Sequence, residues 1–276
     1  MIVVKEFSDR KFESKEELFR ELKANKKQLI ALKKATEKRT EAFYYIPAIQ
    51  NEKTEANKSE DNYIETPDKL QVKVVINTTN FLDSHNDLHI SGIWNKSISD
   101  NNGKGFLHLQ EHECEFEYVI SDNAKASVMQ MKWKDLGYPY SGNTEALIFD
   151  SLIEKKRNDF MYNQYLNGWV KNHSVGMRYV KMELAINSEA EYDADEKAIW
   201  DKYYPLVANN EVADEKGYFW VILEAKLIEG SAVVMGSNSA TPTLQVEQKE
   251  AVNNTSKEIE PSFDTQKEQK KKVFIN

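Results

Sequence analysis

The segment Leu70-Gln-Val-Lys-Val-Val-Ile76 decides the fold class. Its apolar side chains are mostly β-branched and alternate with polar ones, which predicts a strand with a buried face. Runs of similar character follow at residues 116–120, 146–149, 174–186, 218–225 and 231–235, and helical patterns interrupt them at 156–167 and 195–204. Short strands with a few helices between them predict an α+β domain, built on a mostly antiparallel sheet or barrel with flanking helices.

The chain before this core is predicted to contain one helix and a linker, within residues 1–68. Ser14 and Glu17 form a capping-box pattern, and we expect the helix to run from there to about Thr40. One stripe of this helix is apolar and carries Leu18, Leu22, Leu29 and Leu32. We expect the stripe to pack on another copy or on a scaffold protein. Residues 50–68 are polar without periodicity, which is typical of a linker.

The core domain is predicted to span residues 69–244, and the rest of the chain is predicted to be a disordered tail. Residues 245–276 are rich in Gln, Glu, Lys, Asn, Ser and Thr, with single apolar residues scattered among them. Such a segment buries too little apolar surface to offset the entropy lost on ordering.

Composition excludes several classes of function. A net charge of −8 over 276 residues argues against a nucleic-acid partner, because proteins that bind nucleic acids normally carry a basic face. The single cysteine, Cys114, excludes an internal disulfide and a multi-thiolate zinc site. The N-terminal residues do not resemble a signal peptide, and no run approaches the ~18 apolar residues of a membrane span. We therefore expect a soluble, intracellular protein without a membrane partner.

One motif suggests zinc chemistry. His108-Leu-Gln-Glu111-His112 matches the H-x-x-E-H pattern of inverted zinc metalloproteases. Two histidines four residues apart bind one zinc ion only when a helix places them on the same face. Here Gly103 and Gly105 precede the motif and a strand-like run follows it, so we expect an extended segment. Its two imidazoles would then lie about 13 Å apart. The zinc protease is kept as the less favoured alternative.

A second motif suggests acyl transfer. A serine protease needs a serine hydroxyl, an imidazole base and a partner that orients the imidazole. The segment His173-Ser174-Val175-Gly176-Met177 places a serine in a predicted strand. By itself this is a weak signal, because serines are common and Gly176 could mark only a bulge or close packing. The chain has no G-x-S-x-G elbow, so an α/β-hydrolase is not expected.

Three blocks of the chain resemble the prohead (capsid-maturation) serine proteases of tailed bacteriophages. The first runs from an aspartate-rich turn at residues 82–98 into Phe106-Leu-His-Leu-Gln-Glu-His112. The second is the Ser174-Val-Gly176 segment, and the third is Glu229-Gly-Ser-Ala-Val-Val-Met-Gly-Ser-Asn238. Two details depart from the family pattern. The glutamine before His112 is shifted by one position, which makes His108 a rival base, and Gly-Ser-Asn replaces the family's Pro-Ala-Asn.

The resemblance implies Ser174 as nucleophile, His112 as base and Glu229 as the acid that orients the imidazole, with no metal or organic cofactor. It implies an assemblin-like barrel and a serine endopeptidase that cleaves phage capsid and scaffold proteins. This cleavage, with self-cleavage, would occur inside the immature prohead in the host cytoplasm. Association into a homo-oligomer is compatible with it. The alternative is a non-catalytic internal scaffolding protein that keeps the fold, although such a protein has no reason to retain serine, histidine and acid together.

Overall fold

The computed structural model of the protein describes residues 1–37 and 68–249. The helices of this part are α1 (Lys15–Ala24), α2 (Lys26–Ala35), α3 (Asn95–Asn101), α4 (Asp159–Leu166), α5 (Ala194–Tyr203) and α6 (Asn210–Lys216). The strands are β1 (Lys69–Thr78), β2 (Asp87–His89), β3 (Phe106–Gln110), β4 (Val119–Lys132), β5 (Asn143–Glu154), β6 (Asn172–Ile186), β7 (Tyr218–Val233) and β8 (Thr243–Lys249).

The eight strands form one mostly antiparallel sheet. The two longest strands, β6 and β7, pair in antiparallel orientation over the whole of their length. The opposite edge of β7 takes β2 and β3, both parallel to it. From β3 the sheet continues through β4, β5, β1 and β8 with antiparallel pairing. The predicted mixed architecture, a mostly antiparallel sheet with helices beside it, is confirmed.

The predicted barrel is not supported, because the sheet is open. Its order is β2-β7-β3-β4-β5-β1-β8 with β6 beside β7, and no ladder of the described residues joins β6 to β8. Near this gap the hydroxyl of Thr241 accepts a hydrogen bond from the N–H of His173 (3.1 Å) and donates one to the carbonyl oxygen of His173 (2.6 Å). One side chain thus satisfies both backbone groups of His173 near the start of β6.

The N-terminal segment forms two helices where one was predicted. Ser14 caps α1 as expected, since its hydroxyl accepts from the N–H of Glu17 (3.2 Å). The carboxylate of Glu17 accepts from the N–H of Glu13. At the other end, the amide of Asn25 donates to the carbonyl of Glu21 (2.9 Å), and the chain bends before α2 begins. The last helical residue is Ala35, and residues 38–67, including most of the predicted linker, lie outside the described part.

The apolar stripe of these helices packs on the protein's own sheet. Leu18, Leu22 and Leu29 are buried in the same cluster as residues of β1, β6 and β7, whereas Leu32 is exposed. The partner expected in another copy or a scaffold protein is therefore supplied within the chain. Burial of such side chains contributes roughly 1.5–3 kcal/mol each.

A buried ion pair fastens α2 to the sheet. The ammonium of Lys33 lies 2.6 Å from the carboxylate of Asp87 in β2, whose side chain is fully buried. The second carboxylate oxygen of Asp87 accepts from the hydroxyl of Tyr179 in β6 (2.7 Å). Neighbouring carboxylates, first that of Asp87, raise the pKa of Lys33 against the opposing effect of burial. The N-terminal segment is thus joined to β2 and β6 by apolar and ionic contacts.

The sheet extends beyond the predicted end of the core domain. Strand β8 continues to Lys249, so the first five residues of the predicted tail, 245–249, pair with β1. Val246 packs against the main core cluster, and its polar neighbours along the strand face away. Residues 250–276 lie outside the described part of the chain.

Candidate active site

The candidate site lies on the outer face of the β6–β7 pair. In the register of this pair Ser174 is opposite Ser231, and Gly176 is opposite Glu229. Side chains of a strand alternate between its faces, so these four residues share one face. Val175, between Ser174 and Gly176, belongs to the buried core on the other face. Ser174 and Glu229, 55 positions apart in the chain, are thereby brought within two positions of each other in the register.

A left-handed turn carries His112 to this face. Strand β3 runs parallel to β7, and beyond it Glu111 and His112 have φ angles of 51° and 61°. This region costs a non-glycine residue roughly 1–2 kcal/mol. Two hydrogen bonds to β7 and the residue after it hold the turn. The N–H of Glu111 donates to the carbonyl of Ala232 (2.9 Å), and the carboxylate of Glu111 accepts from the N–H of Val234 (2.8 Å).

His112 and Glu229 form a short, buried hydrogen bond. The Nδ1 atom of His112 lies 2.6 Å from Oε1 of Glu229, and the two side chains are only 5% and 3% exposed. A carboxylate accepts, so Nδ1 carries the proton and Nε2 of the neutral ring keeps its lone pair. The geometry fixes both the tautomer and the orientation of the imidazole, with Nε2 directed away from the carboxylate. An imidazole held this way can act as a general base.

Ser231 completes this arrangement, although sequence analysis gave it no role. Its hydroxyl donates to Oε2 of Glu229 (2.6 Å) and accepts from the backbone N–H of His112 (3.2 Å). Each oxygen of the Glu229 carboxylate therefore has its own donor. The signal in the sequence was the Glu-x-Ser spacing, because two residues that are two positions apart on a strand share a face.

Gly176 leaves room for the carboxylate. A Cβ atom at this position would overlap Oε1 of Glu229 and lie 2.7 Å from its Cδ atom. The register also shifts directly after Gly176, where Leu227 and Glu229 pair with successive residues of β6. Both interpretations of Gly176, a bulge and close packing, are thus correct, and the packing explains why a glycine follows Ser174 by two positions.

His108 and His173 lie on the core side of the sheet, away from His112. A chain of hydrogen bonds links them through Tyr165 of α4. The hydroxyl of Tyr165 is 3.1 Å from Nε2 of His108 and 3.0 Å from Nε2 of His173. At the ends of the chain, Nδ1 of His108 is 3.1 Å from the hydroxyl of Ser151, and Nδ1 of His173 is 2.9 Å from the carbonyl of Thr241.

The donor and the acceptor in each of these hydrogen bonds can be assigned by starting from the carbonyl of Thr241. The carbonyl of Thr241 can only accept, so His173 donates from Nδ1 and accepts from Tyr165 at Nε2. Tyr165 then accepts from His108, which accepts from Ser151 in turn. Burial lowers the pKa of His108 to about 3 and that of His173 to about 4. Both rings are therefore neutral at pH 7, and neither has a contact with Glu229.

The zinc motif does not form a shared site. His108 lies in a strand and His112 in the turn after it, so the helix that the motif needs is absent from this segment. The two imidazoles contact different partners on opposite sides of the sheet. Over residues 1–37 and 68–249, no group of three or more His, Cys, Asp and Glu side chains is arranged to hold a metal ion.

The serine, histidine and acid predicted from sequence are thus found on one face of β6 and β7, with the histidine and the acid in direct contact.

No protein-family model, curated protein or solved structure matches the chain. None of the helices in the described ranges is long and apolar enough to cross a membrane. Two surface cavities, of about 450 and 430 Å³, lie elsewhere and are not lined by Ser174, His112 or Glu229.

Proposed function

We propose that the protein is a serine endopeptidase of the prohead protease type, with Ser174 as nucleophile, His112 as general base and Glu229 as the residue that orients His112. The observation that carries the proposal is the buried 2.6 Å hydrogen bond between His112 and Glu229 on the strand face of Ser174. The space kept open by Gly176 supports it further, since that space serves the carboxylate that holds the base.

In the proposed acylation step, the Ser174 hydroxyl attacks the carbonyl carbon of a peptide bond. The hydroxyl proton passes to Nε2 of His112, and an Oγ–C bond forms as a tetrahedral oxyanion develops. The imidazolium is stabilised by the Glu229 carboxylate at Nδ1. When the C–N bond breaks, the imidazolium gives its proton to the leaving amine, and the other half of the substrate stays on Ser174 as an ester.

Water reverses these roles in the deacylation step. His112, neutral again, removes a proton from water as its oxygen bonds to the ester carbon. Breakage of the Oγ–C bond releases the carboxyl product, and the Ser174 oxygen recovers a proton from the imidazolium. His112 therefore acts as the base in both steps. The hydrolysis of one peptide bond needs no change in oxidation state and no metal ion.

The biological setting belongs to the same proposal. The three-block resemblance supports cleavage of phage capsid and scaffold proteins inside the immature prohead, together with self-cleavage. Association of the chain into a homo-oligomer is compatible with these roles. Neither a nucleic acid nor a membrane is needed as a partner.

A non-catalytic scaffolding protein is the second candidate, and the site argues against it. Removing an imidazole and a carboxylate from water is unfavourable, and apolar side chains of similar volume often stabilise such a position equally well. Two consecutive left-handed residues, Glu111 and His112, add further cost. A fold kept for assembly alone has no use for either feature, whereas a base that must be held in one orientation requires both.

The test is active-site labelling of the full-length chain with a fluorophosphonate, followed by mass spectrometry. We expect the wild type to be labelled at Ser174, and labelling to fall by several orders of magnitude in Ser174→Ala and His112→Ala. Ser151→Ala removes another buried, hydrogen-bonded serine and should be labelled like the wild type. Cleavage of co-expressed capsid or scaffold protein should follow the same pattern.

EDTA distinguishes this proposal from the zinc alternative. Labelling and cleavage should be unchanged by chelation. His108→Ala should still be labelled and still cleave, because His112 remains to accept the proton. Loss of cleavage on chelation, with recovery on addition of zinc, would replace the serine mechanism by the metal one. An intact wild type that neither labels nor cleaves would favour the scaffolding protein.

A further inference from the structure

Ser231 is a fully buried serine whose hydroxyl lies between two members of the proposed triad. It donates to Oε2 of Glu229 at 2.6 Å and accepts from the N–H of His112 at 3.2 Å. A hydroxyl has one proton and two lone pairs, so both bonds can form at once. The hydroxyl thus connects the carboxylate of Glu229 with the backbone of His112.

The first consequence concerns the orientation of the carboxylate. Glu229 contacts His112 through Oε1 only. The same oxygen occupies the space where a Cβ atom of residue 176 would stand. Without a donor at Oε2, the carboxylate would be held by the His112 bond alone, and rotation about its Cγ–Cδ bond would break one hydrogen bond instead of two. Hydrogen bonds to an ionised acceptor are stronger than those between neutral groups. Ser231 therefore favours the orientation of the carboxylate in which one oxygen faces the imidazole and the other faces the Ser231 hydroxyl.

The second consequence concerns the left-handed turn. His112 has a φ of 61°, and its N–H falls after the last parallel pair between β3 and β7. The Ser231 hydroxyl accepts from this N–H and so satisfies a buried donor that the ladder leaves out. Because this bond is made by the backbone N–H of His112, it fixes the position from which the imidazole side chain extends. The bond of the same hydroxyl to Oε2 fixes the position of Glu229.

We propose that Ser231 is a positioning residue for the hydrolysis, acting on the base through Glu229 and through the His112 backbone. This inference rests on the proposed function. Ser231 is not a second nucleophile, since its proton is directed to a carboxylate rather than to an imidazole and its side chain is fully buried. Its contribution is to hold the His112–Glu229 pair in the arrangement that removes a proton from Ser174.

The test measures the kinetics of fluorophosphonate labelling on the full-length chain, which needs no knowledge of the natural substrate. In this reaction an Oγ–P bond forms at Ser174, the P–F bond breaks, and the hydroxyl proton passes to His112 as fluoride leaves. The maximal rate reports the activation of Ser174, and the half-saturating concentration reports binding. The variants are Ser231→Ala, Ser231→Thr, the control Ser151→Ala and the references Ser174→Ala and His112→Ala.

We expect Ser231→Ala to lower the maximal rate by roughly 10- to 100-fold with little change in the half-saturating concentration. Ser231→Thr, which keeps a hydroxyl, should recover most of the rate. Ser151→Ala, which removes an equally buried serine, should stay within about threefold of the wild type, so that a general loss of stability is distinguished from a loss of positioning.

Two results would overturn the inference, and they differ from failure of the proposed function. If Ser231→Ala labels at the wild-type rate while Ser174→Ala is inert, Ser231 positions nothing although the serine mechanism stands. If Ser231→Ala does not fold, Ser231→Thr decides, and a folded Thr variant as slow as a variant without His112 would refute the role of the hydroxyl. If Ser174→Ala labels like the wild type, the proposed function itself fails.

Discussion

Lowering the pH from 7 to 5 should destabilise the folded protein by about 4 kcal/mol through His108 and His173 alone. Burial lowers the pKa values of these imidazoles from 6.5 to about 3 and about 4, so the folded protein keeps both neutral at pH 5. The unfolded chain protonates them below its ordinary pKa of about 6.5. The unfolded state therefore binds more protons as the pH falls, and the free energy of unfolding decreases.

The magnitude follows from proton linkage. Each histidine lowers the free energy of unfolding by about 1.4 kcal/mol per pH unit between its unfolded and folded pKa values. Over roughly one and a half pH units above pH 5 this amounts to about 2 kcal/mol for each ring. The loss should continue to about pH 4 for His173 and about pH 3 for His108, where the folded protein also takes up the protons.

The assay is urea unfolding at pH 7 and pH 5, for the wild type, His173→Asn and Tyr165→Phe. Carboxylates and other groups also titrate, so the quantity to compare is the drop in unfolding free energy between the two pH values. In His173→Asn this drop should be smaller than in the wild type by about 2 kcal/mol. Tyr165→Phe removes a hydroxyl but no histidine and should keep the wild-type drop. Equal drops in the wild type and His173→Asn would show that the ring is not buried in its neutral form.

Two further substitutions test the site and the N-terminal attachment. Gly176→Ala places a Cβ against Oε1 of Glu229, so it should displace the carboxylate from His112 and reduce fluorophosphonate labelling by about 100-fold or more, as expected when triad members act as a unit. Its circular dichroism should stay native, and undiminished labelling would contradict the packing argument. Lys33→Met leaves the buried carboxylate of Asp87 without its cation and should lower the free energy of unfolding in urea by about 3–5 kcal/mol. The exposed Lys27→Met on the same helix should change it by about 0.5 kcal/mol or less, and equal effects of the two would show that the ion pair is not buried.

Local periodicity was enough to locate β1, β5, β6 and β7 and helices α4 and α5. It was wrong at residues 116–120, where a strand was predicted, because residues 116–118 form a 3-10 helix and β4 begins only at Val119. The alternation at residues 70–76 corresponds to β1, and the helical patterns at 156–167 and 195–204 correspond to α4 and α5. Elements of this kind follow from which side chains of a short segment face the core, and that pattern is present in the segment itself. Two predicted strands, 218–225 and 231–235, proved to be one strand, because a bulge interrupts the alternation without ending the pairing.

Contacts between distant segments were not predictable in this way. An apolar stripe on a helix requires a partner but does not specify it, and here the stripe of α1 and α2 packs on the chain's own sheet. The polar composition of residues 245–249 indicated a tail, yet β1 offers them a pairing edge. Among the described residues the sheet stays open between β6 and β8, and no local pattern in the sequence records which strands fail to pair.

The candidate site divides along the same line. The sequence by itself placed Ser174 and Gly176 on one face of a predicted strand, because a spacing of two puts strand side chains on the same face. Glu229 lay between two predicted strands, so it was the continuous strand β7 that placed it on one face with Ser231. Only the tertiary structure decided that these pairs are opposite each other and that His112 reaches them. That outcome depends on the register of β6 on β7 and on two left-handed residues after β3. Both are consequences of contacts between segments more than 30 residues apart in the chain, so the spacing within any one motif cannot contain them.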